Sequence, residues 1–310
     1  MPAELIALAL FLLGAILAIW ATERLLEGLV LLARLTALST FAIGAALSGF
    51  EAENIAIGVI AAFRGSAPIA LGTVFGGAIF LICVALGLGA VLYPVRVHLP
   101  PGFLIVLALT PLLPGLEIFG SSTNRLVGVI LLLAFAVAMA YLIAASRTHS
   151  LLENEEIREA LSEKAEWPEA VGKTIFGLVA IGIGGELVAS GAQRVVATLG
   201  IPVLLMGMVV TPAVIELEEI VRQAIPSREG HPEISAGNLV GTLLYFLLFN
   251  LGLIALAAPV VIPAEIRTLD WPFLVGATWL ATLFLARGKV GRVEGALLLM
   301  VYVVYAILHL

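Results

Sequence analysis

The sequence predicts an all-α integral membrane protein: ten transmembrane helices in two inverted five-helix repeats, with broken central helices. Three observations carry this expectation. Of 310 residues, 61% are hydrophobic and 12% charged, with a mean hydropathy of +1.14, more apolar surface than a soluble domain can bury. The apolar runs are continuous, unlike the short alternating segments of a β-barrel. The two halves also repeat one another. Adding 163 to a position in the first half gives its partner in the second, so Glu23 answers Glu186, Gly28 Gly191, Gly44 Gly207, Ser48 Thr211 and Glu53 Glu216.

A bilayer core of about 30 Å takes about 20 helical residues. On that ruler the first half holds spans at about 4–34, 38–63, 68–95, 102–119 and 124–146, and the second at about 170–198, 201–225, 232–259, 270–287 and 291–309. The first run begins at Glu4 with no basic n-region or small-residue cleavage site, so it reads as a retained helix and not a signal peptide. Spans longer than the ruler should tilt or break. Gly76-Gly77 is the expected break in the third and Pro212 in the seventh. The repeat shift grows to 165 where residues 69–77 answer 234–242, and to 167 where 125–128 answer 292–295. The domains are therefore 1–146, a first five-helix repeat; 147–169, an acidic linker helix; and 170–310, a second repeat.

The linker carries Glu153, Glu155, Glu156, Glu159, Glu163, Glu166 and Glu169, most of what makes the net charge −6. Ile157, Leu161 and Ala165 share one face, the pattern of an amphipathic helix, either a solvated connector or a cation-attracting element. Basic residues near span ends set orientation. With the linker cytoplasmic, eleven face the cytoplasm (Arg34, Arg96, Arg147, Arg158, Lys164, Lys173, Arg222, Arg228, Arg287, Lys289, Arg292) and four the outside (Arg64, Arg125, Arg194, Arg267). Both termini are then outside, and five spans per half invert one repeat against the other, an arrangement of many secondary transporters.

Glu53 and Glu216 each lie about 15 residues into their span, roughly 22 Å along the helix. A carboxylate at that depth costs on the order of 3 kcal/mol to insert, which makes a functional role the default. With oxygens from Ser48, Thr73, Thr211, Asn238 and Thr242 the pair suits a hard cation such as Ca²⁺. Two facing carboxylates repel; sharing a proton relieves this, and a divalent ion would displace that proton. The plain alternative is two protonated glutamates hydrogen-bonded between helices. Glu51 and Glu53 point about 200° apart on an intact helix, so both reach one ion only if the helix unwinds near Gly49. Glu51, Asn54 and Glu219 form a candidate proton or second-ion site. Glu218 and Glu219 read as a surface pairing with Arg222 near the cytoplasmic end, with an ion-path role for Glu219 open. Glu23 and Glu186 are vestibule candidates.

Other classes find no support. Cys83 is alone in an apolar run, which excludes a disulfide framework or cysteine metal cluster. The 16 basic residues are dispersed, against nucleic acid binding. His98, His149, His231 and His309 read as interfacial, so no zinc site is expected. There is no nucleophile with a positioned base and no phosphate loop, so neither an enzyme nor a nucleotide-driven pump is expected. The partners expected are the lipid bilayer and inorganic cations, with no further cofactor; the oligomeric state stays open.

Several motifs carry a family likeness. Ala21-Thr-Glu-Arg-Leu-Leu-Glu-Gly28 and Gly185-Glu-Leu-Val-Ala-Ser-Gly191 look like paired Gly-Ala-Asp-hydrophobic-Gly helices. Leu199-Gly-Ile-Pro202 looks like the lead-in to a seventh span, and Gly237-Asn-Leu-Val-Gly-Thr242 is similar to Gly-Asn-x-x-Gly-Ser-Asn. Arg292-Val-Glu-Gly-Ala-Leu-Leu-Leu-Met-Val-Tyr302 is close to a last-span signature. On these motifs the chain resembles, over nearly its whole length, the cation/calcium antiporter superfamily of sodium/calcium and proton/calcium exchangers. The resemblance implies ten helices, inverted repeats, a central cation site and alternating-access antiport, with Ca²⁺ exported in exchange for H⁺ or Na⁺ as the leading expectation. The rivals are a cation/proton exchanger of other specificity and, in a different class, a cation channel.

The departures fall at the site. Sodium/calcium exchangers carry Gly-Thr-Ser-x-Pro-Glu in both central helices; here stand Gly49-Phe-Glu-Ala-Glu53 and Thr211-Pro-Ala-Val-Ile-Glu216. The first is nearer the proton/calcium form Gly-Asn-Ala-x-Glu but lacks its Asn. Counting back from Gly72 without gaps places Asn54 at the family glutamate position, whereas the internal repeat favours Glu53. Thr73, Gly77 and Ala78 stand where Asn, Ser and Asn are usual, while Asn238 and Thr242 are kept. Phe50, Ala52, Gly77 and Ala78 leave few oxygens for Na⁺, and Glu51 with Glu53 offers two protonatable groups, which leans the expectation towards proton coupling.

Overall fold

In lipid, every backbone polar group must be satisfied within the chain, which leaves helices and closed barrels as spanning forms. The computed structural model describes residues 3–35, 47, 49–146 and 166–310, and these fold almost entirely as helix. Eleven helices follow in order: α1 (Ala3–Leu35), α2 (Ala52–Phe63), α3 (Ala67–Leu92), α4 (Pro101–Ile118), α5 (Arg125–Ser146), α6 (Trp167–Leu199), α7 (Val203–Ile215), α8 (Leu217–Arg228), α9 (Pro232–Ala257), α10 (Ile266–Ala286) and α11 (Arg292–Ile307). Seven of them, α1, α3, α4, α5, α6, α9 and α10, are long and apolar enough to cross a bilayer, and α2 and α7 are shorter apolar helices. The start of the expected second span, with Ser48, and the linker helix of residues 147–165 lie outside the described residues. The expected linker ends early: α6 begins at Trp167 with Pro168 in its first turn, where a missing amide hydrogen is harmless and the fixed φ already suits a helix.

The layering follows apolar composition. In α3 and α9 the spanning windows are 94% and 83% buried, against 22% in α5, so α3 and α9 form the centre and α5 faces lipid. Around that centre the helices meet at glycines. In α1 and α6, Phe11 lies against Gly191, Val188 against Gly14, Ala18 against Gly184, Leu25 against Gly177 and Thr174 against Gly28. One number rises as the other falls, so α1 and α6 run antiparallel. A Cβ at any of these glycines would strike the opposite backbone, so small residues set the distance of closest approach. The same device joins α5 to α9, where a Cβ on Gly128 would come within 2.9 Å of the Gly252 carbonyl, and α3 to α11, where one on Gly87 would come within 3.1 Å of the Gly295 carbonyl.

Two short antiparallel bridges tie the loops. The Val95 amide donates to the Val290 carbonyl at 3.0 Å and the Val290 amide to the Val95 carbonyl at 2.8 Å; a second bridge pairs Ser122 with Val261.

The expected breaks are corrected. Helix α3 is not interrupted at Gly76-Gly77. It stays helical, widened by π turns at Gly72–Gly76 and Leu81–Ala85. Gly72 and Gly76 serve close packing instead: a Cβ on either would fall on the carbonyls of Gly207 and Met208 in α7. Nor does Pro212 break α7. A π turn over Met206–Val210 precedes it and absorbs the hydrogen bond that proline cannot make. The interruption comes at Glu216, whose φ of −84° and ψ of 12° separate α7 from α8.

Candidate cation site

Two local backbone features aim the acidic side chains. The first is Gly49, at φ 74°, a left-handed conformation that only glycine adopts without steric cost. A Cβ there would also lie 2.7 Å from the Thr242 hydroxyl oxygen. The chain stays unwound through Glu51 (φ −112°, ψ 77°), and α2 starts at Ala52. The unwinding that Glu51 and Glu53 require is therefore present. Both are buried, at 1% and 0% exposure, and carboxylate oxygens of Glu51, Glu53 and Glu218 lie within 4.8 Å of one another.

The second feature is the break at Glu216. It turns this buried carboxylate towards α3, where a Cβ on Gly77 would sit 3.3 Å from Glu216 Oε1. Glu216 approaches Asn54, the first residue after Glu53, while Glu53 neighbours Thr22 of α1 and Glu51. The internal repeat pairs Glu216 with Glu53; in space Asn54 is the residue turned to Glu216. Glu53 and Glu216 lie within electrostatic reach of one another.

Unpartnered polar atoms collect here. Both oxygens of Glu53, both amide atoms of Asn54, Glu216 Oε1, Glu51 Oε2, and the hydroxyls of Thr22 and Thr242 are buried without a hydrogen-bond partner. Each such group costs about 1–3 kcal/mol, and the carboxylate, amide and hydroxyl oxygens among them are hard donors of the kind a cation takes.

Arg222 is the counterweight. Its Nη1 lies 2.6 Å from Glu51 Oε1 and 3.0 Å from Glu219 Oε1, and its Nη2 lies 3.0 Å from Glu218 Oε1. Asn238 Nδ2 donates to Glu219 Oε2 at 3.1 Å. This corrects the surface reading of Glu218 and Glu219: Glu219 is fully buried, and both belong to the acidic cluster. The reason is the break at Glu216, which starts α8 with its charged first turn facing inward.

The remaining expected donors are spread. The Thr73 hydroxyl donates to the Ala70 carbonyl at 2.8 Å and accepts from Asn250 Nδ2 at 3.1 Å. Thr211 donates to the Met206 carbonyl at 2.7 Å. Glu186 pairs with Arg64, whose Nε lies 3.0 Å from its Oε2 and whose Nη1 donates to Gln193 Oε1 at 3.2 Å. His98 and His231 are exposed, and His149 lies outside the described residues. His309 is buried, with Nε2 3.0 Å from Asp270 Oδ1, which also accepts from the Tyr305 hydroxyl at 2.6 Å. Closing the last helix back over α10 buries it.

Three polar residues escaped the sequence reading. Thr22 adjoins the matched Glu23. Asn250 continues the four-residue spacing of Asn238, Thr242 and Phe246 on α9, a signal that was there to be read. Gln223, buried with both amide atoms unpartnered, has no sequence signal that singles it out.

Comparison with known proteins agrees with this architecture. The sodium/calcium exchanger protein family matches residues 6–144 and 170–310. CaxA of Alkalimonas amylolytica, provisionally named an antiporter, is 28% identical over 97% of this chain and 98% of its own. The inner membrane protein YrbG of Escherichia coli (strain K12) is 23% identical over 82% of this chain and 81% of its own. A structure of the sodium-calcium exchanger NCX_Mj, soaked with Na⁺ and Sr²⁺, superposes with a TM-score of 0.62 at 22% identity, covering 99% of both chains. With two stretches spanning nearly its whole length matched to one family and a shared fold, this multi-pass integral membrane protein belongs to the sodium/calcium exchanger protein family.

Proposed function

We propose that the protein is a secondary antiporter that carries a divalent cation, Ca²⁺ foremost, against H⁺ or Na⁺ by alternating access. One observation carries the proposal: Glu53, whose two buried oxygens have no hydrogen-bond partner, lies with its carboxylate within 4.8 Å of oxygens of Glu51 and Glu218 and in electrostatic reach of Glu216. Ca²⁺ takes six to eight such oxygens. Glu53 and Glu216 supply the charge, and Asn54, Thr242, Thr73, Thr211, Asn238 and Ser48 are the neutral donors in this reading. Glu51 and Glu219 serve a proton or second ion.

The same reading takes the ten-span inverted topology. α2 with the residues before it makes one span, α7 with α8 another, and α11 the last. The packing supports it. α1 and α6 are equivalent under the 163 shift and lie antiparallel. The shift also exchanges Gly28–Thr174 with Gly191–Phe11, and near the same shift the Val95–Val290 bridge becomes the Val261–Ser122 bridge. Both termini are assigned outside and the acidic linker to the cytoplasm, on the basic asymmetry.

Coupling to protons is favoured because Gly77 lies directly against Glu216 and offers it no hydroxyl, which reduces the oxygens for Na⁺. In proteoliposomes, Glu53→Gln and Glu216→Gln should each abolish divalent flux while the protein inserts normally. A pH gradient without Na⁺ should drive divalent uptake with proton release. Uptake that responds only to Na⁺ gradients would reassign the coupling ion, and flux that needs no counter-ion and does not saturate would make the protein a channel.

A further inference from the structure

Arg222 holds a position that the repeat does not require. Its equivalent in the first half is Val59, and the equivalents of Glu218 and Glu219 are Ile55 and Ala56. The guanidinium reaches across 171 residues of sequence to Glu51 at 2.6 Å and also contacts Glu218 and Glu219, each at 3.0 Å. Glu51 and Glu218 are two of the three carboxylates whose oxygens lie within 4.8 Å of one another, the third being Glu53. Arg222 therefore occupies Glu51 Oε1 and Glu218 Oε1, while both oxygens of Glu53 in the same cluster have no hydrogen-bond partner. A guanidinium keeps its charge at every pH a protein meets, so this group cannot act as the exchanged proton. It is a fixed positive charge on a flexible stem, 13% exposed.

We infer that Arg222 is a tethered counter-cation that competes with the transported ion for Glu51 and Glu218. This rests on the reading of Glu53 and Glu216 as the cation site and names what regulates its affinity. Without cargo, Arg222 compensates the buried acidic cluster, which otherwise carries uncompensated charge in a low-dielectric interior. When a divalent ion engages Glu53, it draws Glu51 and Glu218 to itself and Arg222 swings off. Two carboxylates freed for one ion favour a double charge over a single one, so Arg222 also selects for divalent cargo.

The test uses the full chain in detergent, with Ca²⁺ as probe. Arg222→Gln should tighten Ca²⁺ binding about tenfold, the low end of the scale on which close charge pairs at interfaces couple, whereas Arg222→Lys, which retains the charge, should stay near the unsubstituted value. Free guanidinium ion should weaken Ca²⁺ binding to Arg222→Ala far more than to the unsubstituted protein. A measurement independent of any variant is arginine modification by phenylglyoxal, read by mass spectrometry: saturating Ca²⁺ should raise labelling at Arg222 several-fold and leave Arg64 unchanged. Unchanged Arg222 labelling, or equal or weaker Ca²⁺ binding by Arg222→Gln, overturns the inference. If Glu53→Gln and Glu216→Gln abolish Ca²⁺ binding in the same assay, the site reading survives that loss; if they bind normally, the site reading fails first.

Discussion

Helices α2 and α8 hold equivalent places in the two halves, yet α2 presents Ile55, Ala56 and Val59 where α8 presents Glu218, Glu219 and Arg222. The contrast runs against everything around it. Where backbones touch, at Gly14, Gly28, Gly177 and Gly191 or at Gly87, Gly128, Gly252 and Gly295, the halves match contact for contact. A glycine crossing leaves no room for a side chain, so both copies of the repeat are held to the same solution. Charge has no such constraint. In α8 it comes with its own counter-ion, Arg222. The first half carries its charges differently: Glu51 sits on an unwound turn where the 163-residue shift gives the apolar Val214 in the second half, and Arg64 pairs with Glu186 at a half-exposed position. The packing frame is shared and the electrostatics are not.

The sharpest way to break this comparison is to substitute equivalent positions side by side. Glu219→Ala takes away one of the three carboxylates that hold Arg222 and leaves the buried Asn238 amide without its acceptor, and an unsatisfied buried polar group costs about 1–3 kcal/mol. Its equivalent, Ala56→Ser, should fall within about 0.5 kcal/mol of the unsubstituted protein. Equal melting temperatures for the two variants in detergent would mean that the charges of α8 add nothing to the fold.

An effect of similar size tests the frame. Gly28→Val and Gly191→Val push side chains into the facing backbones of α6 and α1. Each should cost about 1–3 kcal/mol by overpacking, and the two values should agree. One tolerated and one not would show that the halves pack differently after all.

Smaller is the contrast between Thr242 and Gly77, equivalent under the 165 shift. Thr242→Ala removes an unpartnered hydroxyl beside Gly49 and should weaken Ca²⁺ binding by about three- to tenfold, the worth of one polar contact of about 0.5–1.5 kcal/mol. Gly77→Ser adds a hydroxyl beside Glu216 and should raise Na⁺ affinity; no change in Na⁺ competition would remove Gly77 from the account of coupling. The least effect is expected from Arg64→Gln, which opens a partly exposed pair with Glu186 worth at most about 1 kcal/mol. A larger loss of stability there would make this pair as structural as the cluster around Arg222.

The sequence by itself determined the apolar helices, their order, the repeat and the two deep glutamates. Each of these is a linear property: hydropathy runs, a constant shift between matched residues, and the cost of a carboxylate in lipid are readable without knowing what touches what. Glu53 and Glu216 stood out for that reason, and so did the need for an unwound turn at Gly49 if Glu51 was to join them. Only the tertiary structure decided the rest. Pro212 was expected to break its helix, but a π turn took up the lost hydrogen bond and the break moved to Glu216, which swung Glu218 and Glu219 from a supposed surface into the site. Arg222 could not be assigned to Glu51 from spacing, because the two meet across 171 residues. His309 became buried because Asp270 meets it from α10 and Tyr305 from one turn back on α11. Pattern reports what each segment is; which side chains share a cavity depends on a few backbone dihedral angles, at Gly49 and Glu216 above all, and on the helix crossings that hold them.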